Sequence, residues 1–70
     1  MSQLYAYNYV RIDPTTNMCI SFQSTTVEKE ETEYFFQVPV NDPEYMGKYY
    51  INGSWYEDAA GTIPWTSSLL

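Results

Sequence analysis

Few residues in this chain have the chemistry that catalysis needs. There is no histidine, which removes the commonest general base and leaves a serine or cysteine nucleophile dependent on lysine or a carboxylate for activation. The adjacent pair Glu57 and Asp58 is the first candidate for acid–base work or for holding a hard cation. Adjacent strand-end residues point to opposite sides, so the pair reads as a solvated hairpin end. Glu28, Glu30, Glu31 and Glu33 cluster around Lys29 without the spaced Asp ligands or the Gly turn of a calcium loop, and read as a solvated acidic face. Cys19 is the single cysteine. It has no disulfide partner, the histidine-containing zinc sites are closed to it, and no neighbouring base lowers its pKa, so a structural role is expected. The chain is therefore read as a non-enzyme, with no catalytic residue, no cofactor and no metal.

A chain of 70 residues suits one small domain. With 44% hydrophobic residues, including eight Tyr, three Phe and two Trp, the composition favours packing over disorder. Nine acidic against three basic residues give a net charge of −6. No basic patch can be assembled from three cations, so neither nucleic acid nor an anionic membrane is an expected partner. No basic segment followed by an apolar run opens the sequence, and no apolar run is long enough to span a bilayer, so synthesis in the cytoplasm is expected. The Asn52-Gly53-Ser54 sequon is accordingly read as turn chemistry.

The elements follow from periodicity. Leu4 to Ile12 alternates, with Tyr5, Tyr7, Tyr9 and Arg11 on one side and Leu4, Val10 and Ile12 on the other, the period of a strand. Asp13-Pro14-Thr15-Thr16-Asn17 reverses the chain, with Asn17 suited to the left-handed conformation. Met18 to Gln23 forms a second strand that points Met18, Ile20 and Phe22 to its apolar face and leaves Cys19 on the more polar one. Residues 24–33 read equally as an acidic loop or as one or two helical turns opened by a Thr25–Glu28 capping box. Tyr34 to Val40 returns to strand, limited by Pro39 to an edge.

Asp42-Pro43-Glu44-Tyr45-Met46-Gly47 reads as a single helical turn, with Asp42 as cap and Gly47 as stop. The strongest local signal is Asn52-Gly53 between two aromatic runs, a type I′ hairpin that sets Ile51 opposite Ser54, Tyr50 opposite Trp55, Tyr49 opposite Tyr56 and Lys48 opposite Glu57. Thr62 to Trp65 is read as extended. The expected fold is thus all-β: four to five antiparallel strands in two hairpins, one helical turn near residues 43–46, a domain over residues 1–65 and a tail over 66–70. Its expected core is Leu4, Val10, Ile12, Ile20, Phe22, Phe36, Val38, Tyr50, Trp55 and Ile63.

Thirteen aromatic side chains exceed what so small a core can enclose. Tyr5, Tyr7, Tyr9, Tyr49 and Tyr56 are therefore the candidate partner-binding residues, since Tyr suits surfaces that are dry at one end and wet at the other. The order Tyr-Ala-Tyr-x-Tyr-Val-Arg-Ile-Asp, then Phe-Phe-Gln-Val-Pro-Val, then Lys-Tyr-Tyr-Ile-Asn-Gly-Ser-Trp-Tyr-Glu-Asp resembles small proteins encoded among the tail and tail-fibre genes of phages of Gram-positive gut bacteria. The resemblance covers roughly residues 5 to 65 and carries no catalytic residues. It implies a virion-located, tail-accessory module that oligomerises or docks on another virion protein. The alternative is a small acidic phage inhibitor of a host defence system, of the anti-CRISPR or signal-sponge type, whose Glu28, Glu30, Glu31 and Glu33 face would occupy a basic protein surface.

Overall fold

The computed structural model describes residues 7–70, so Leu4 and Tyr5 lie outside the described residues. The fold is all-β. Five strands, β1 (Tyr7–Ile12), β2 (Cys19–Thr25), β3 (Phe35–Val38), β4 (Tyr49–Ile51) and β5 (Ser54–Tyr56), form two antiparallel sheets. The first sheet has the order β2-β1-β3 and the second is the β4-β5 hairpin.

Local chemistry sets the first hairpin. The Asp13 carboxylate accepts from the Thr15 amide at 2.8 Å, the Asn17 amide donates to the Asp13 carbonyl at 2.7 Å, and Asn17 takes a φ of 66°. The register then departs from plain alternation. Arg11 lies opposite Ser21 but Ile12 lies opposite Cys19, so Ile20 is the extra residue of a β-bulge. The bulge reverses the expected facing: Cys19 is buried and Ile20 is 45% exposed.

The bulged end of β2 also joins the two sheets. The Cys19 amide donates to the Lys48 carbonyl at 2.7 Å, the Gly47 amide donates to the Cys19 carbonyl at 2.9 Å, and the Tyr50 amide donates to the Asn17 carbonyl at 2.9 Å. Packed across this joint, Val10, Ile12, Cys19, Val38 and Tyr45 form the buried core, with Phe22, Phe36, Val40, Tyr50, Trp55 and Trp65 against it. Two expected core members are corrected, for Ile20 and Ile63 face solvent. Ile63 contributes its backbone instead, its carbonyl accepting from the Glu57 amide at 2.8 Å.

The opposite face of the first sheet is covered by the chain itself. Tyr9 stacks on Phe35 with centroids 5.1 Å apart, and the Arg11 guanidinium sits 4.9 Å from the Phe35 centroid. Residues 26–31 fold over this face as a loop, without helix. Thr25 continues β2 and its hydroxyl donates to the Val27 carbonyl at 2.6 Å, which takes the place of the capping box. The Glu31 carboxylate accepts from the Gln37 amide at 2.7 Å, and the Thr32 amide closes onto the Phe35 carbonyl at 2.7 Å.

The turn between the sheets is a 3-10 turn, Pro43–Tyr45. Asp42 caps it by accepting from the Glu44 amide at 2.9 Å, and Gly47 leaves it with a φ of 87°. In the second hairpin Tyr49 faces Tyr56, Tyr50 faces Trp55 and Ile51 faces Ser54, around Asn52 and Gly53 with φ of 52° and 84°. Lys48 turns away from the Glu57 partnership expected of it. Its ammonium donates to the Glu44 carbonyl at 3.2 Å and lies 4.9 Å from the Trp65 ring centroid.

Candidate functional site

An aromatic cleft lies on the second sheet. Its floor is Tyr45, which the 3-10 turn delivers to the centre of an edge-to-face cluster. Trp55 lies 4.9 Å from Tyr45 at 62° and Trp65 lies 5.0 Å from it at 78°, geometries that match the positive edge of one ring to the negative face of another. Burial, together with the nearby Asp42 charge, pushes the Tyr45 phenol above its ordinary pKa.

Two carboxylates outside the lining hold the chain segments that form the walls. Asp58 accepts from the Thr62 hydroxyl and from the Thr62 and Ile63 amides, the latter at 2.9 and 3.0 Å. The hydroxyl bond first, and then the amide bonds, hold the Asp58 carboxyl below the usual range. This closes the Asp58-to-Thr62 turn, so that Pro64 bridges to Tyr56 and the Trp65 amide donates to the Trp55 carbonyl at 3.0 Å. Asp42 performs a second task beyond its cap, accepting from the buried Ser67 hydroxyl. That bond, followed by the Glu44 amide, holds the Asp42 carboxyl low as well. Residues 66–70, expected to be a tail, are thereby pinned at Ser67, whose carbonyl and hydroxyl accept from Leu70 and Leu69. The result is a half-open cleft of about 330 Å³ whose lining includes Ser54, Trp55, Tyr56, Trp65, Thr66 and Leu70.

The residues singled out in the sequence are distributed rather than convergent. Tyr9 is fully buried within the chain and has no surface to offer a partner, because the loop over residues 26–31 covers it. Tyr7 sits at the start of β1 and is half-buried, as are Tyr49 and Tyr56 on the second sheet. Tyr56 alone of these lines the cleft. Glu28, Glu30, Glu31 and Glu33 are all exposed. Glu57 is exposed while Asp58 is committed to its turn, so the pair does not converge. Among the described residues no three Cys, Asp or Glu side chains come together to hold a metal, and no helix is long and apolar enough to cross a membrane.

Sequence reasoning missed Tyr45, Trp65 and Ser67 as parts of one site. The available signal was the turn Asp58-Ala59-Ala60-Gly61 followed by Pro64-Trp65, which returns a large aromatic to the hairpin it has just left. Comparison with protein families, curated proteins and solved structures finds no match to this chain.

Proposed function

We propose that the chain is a non-enzymatic binding module, a virion- or tail-associated accessory protein that assembles with copies of itself and docks on another virion protein. The observation that carries this reading is the outer edge of β2. Cys19-Ile20-Ser21-Phe22-Gln23-Ser24-Thr25 is a seven-residue edge strand with no charge and no proline, so beyond the bulge at Ile20 its Ser21–Thr25 stretch carries neither of those guards against strand addition. Among the described residues, its outer edge is met at Cys19 by Gly47 and Lys48, and Ile20 stands exposed beside the remainder. A strand from a second copy or from a virion protein would extend this sheet through main-chain hydrogen bonds.

Sedimentation velocity on the wild type and on Ile20→Lys tests the reading, alongside quantitation of the protein in purified virions. The expected result is self-association or virion association that the edge lysine weakens without altering the melting curve. A chain that stays monomeric at high concentration and is absent from virions overturns it.

The acidic-inhibitor reading has one specific support. The loop that carries Glu28, Glu30, Glu31 and Glu33 is tied to the sheet through Lys29, which presents those charges from a fixed surface. Binding to a basic host protein would then fall steeply with ionic strength. Charge reversal at the four positions would abolish it.

A further inference from the structure

The chain contains three basic residues, and two of them are placed on aromatic rings. Arg11 lies over Phe35 and Lys48 over Trp65, each 4.9 Å from the ring centroid, within the distance at which a ring quadrupole attracts a cation. Lys48 does not line the cleft, and no basic residue does. Lys48 sits on Trp65 from outside the lining, so among the described residues the cleft's Trp55 and Tyr56 are the rings left without a cation from the chain. Ser54 and Thr66 line the same cleft, and each brings a hydroxyl able to accept a hydrogen bond.

Charge selects the ligand. A net charge of −6 raises the local concentration of cations and repels phosphates and carboxylates. Glu57 and Asp58 follow Tyr56 directly in the chain, adding negative potential next to one wall. A volume of about 330 Å³ is at the small end of ligand sites, roughly 300–1,000 Å³, and suits one long side chain better than an extended cofactor.

We propose that the cleft bounded by Trp55, Tyr56 and Trp65 binds a cationic side chain, an arginine guanidinium or a lysine ammonium, presented by a basic segment of a partner protein. The guanidinium face stacks on Trp55 or Tyr56 while its N–H groups donate to Ser54 and Thr66. This site is independent of the β2 edge, which belongs to the other sheet, so either can fail without the other.

The probe is a blocked Gly-Arg-Gly-Arg-Gly peptide, with the neutral, near-isosteric citrulline peptide as control. Amide chemical shifts and tryptophan fluorescence report binding to the full chain. The expected result is shifts at Ser54, Tyr56, Trp65 and Thr66, with the citrulline peptide bound about tenfold more weakly, the scale of one desolvated cation–ring contact. Tyr56→Leu weakens the arginine peptide while the shifts of the Asn52-Gly53 turn stay in place. Should that variant fail to fold, the two peptides on the wild type still decide. Equal binding of both peptides overturns the proposal, as does an absence of cleft shifts at millimolar peptide. Shifts confined to Glu28–Glu33 overturn it too, since they would place the attraction on the acidic loop.

Discussion

The hydroxyl of Tyr9 accepts from the Lys29 amide at 2.7 Å and faces the Lys29 carbonyl at 3.3 Å, across twenty positions of sequence. One buried phenol thus holds down a loop that carries three glutamates, Glu28, Glu30 and Glu31. The arrangement answers two needs at once, covering an aromatic sheet face and giving a buried hydroxyl its partners.

Tyr9→Phe keeps the stack on Phe35 but removes both bonds. It is expected to cost about 1–2 kcal/mol, read from urea unfolding, and to speed hydrogen exchange at Lys29 more than at Val10. An unchanged Lys29 exchange rate would contradict the clamp.

Gly53 has a φ of 84°, and a Cβ built there would meet nothing within 4 Å. The penalty for substitution is therefore backbone strain alone, free of any clash. Gly53→Val should destabilise by more than about 1 kcal/mol, because a branched side chain resists positive φ. A melting curve equal to that of the wild type would refute this.

Asp42 is held below the ordinary carboxylate value, first by Ser67 and then by the Glu44 amide. A carboxyl whose folded pKa is depressed stabilises the fold in full above its unfolded value of about 3.9, and that contribution is lost as pH falls through the folded value. Ser67→Ala removes the largest cause, so the Asp42 titration moves up and acid unfolding begins at higher pH. Carboxyl NMR titration checks the first outcome, and acid denaturation checks the second. Thr62→Val is the control, since it disturbs Asp58 and leaves Asp42 in place.

Burial pushes the Cys19 thiol above its ordinary pKa, against weaker opposing backbone contacts from Ser21 and Arg11. The thiolate is therefore scarce at neutral pH. An aromatic disulfide reagent should modify the folded chain far more slowly than the urea-unfolded chain. Equal rates would mean that Cys19 is open to solvent.

What the sequence disclosed and what it hid divide by range. Asn17, Asp42-Pro43, Gly47 and Asn52-Gly53 each satisfy a backbone demand set within a few residues, so their turns were legible. The facing of Cys19 and Ile20 was not, because alternation along β2 is interrupted by a bulge that exists only in the pairing with β1. Tyr9 reads from sequence as a partner residue, since nothing in the β1 period announces that a later loop returns to cover it. The cleft was hidden for the same reason: the Asp42–Ser67 bond spans 25 positions. Register pairs Lys48 with Glu57, yet Trp65, beyond the hairpin, offers its ammonium a ring.

The bulge at Ile20 has a consequence for how this strand tolerates length change. Removing Ile20 would set Cys19 beside Ser21, still opposite Ile12 and Arg11, so every surviving side chain would keep its inward or outward sense. A deletion at Phe22, Gln23 or Ser24, away from the bulge, would invert part of the strand relative to β1. Ile20 can thus be excised without scrambling the pattern of faces, because it has no partner on β1. What such a deletion would forfeit is aim, because the kink at this point is what turns the Cys19 backbone toward Gly47 and Lys48.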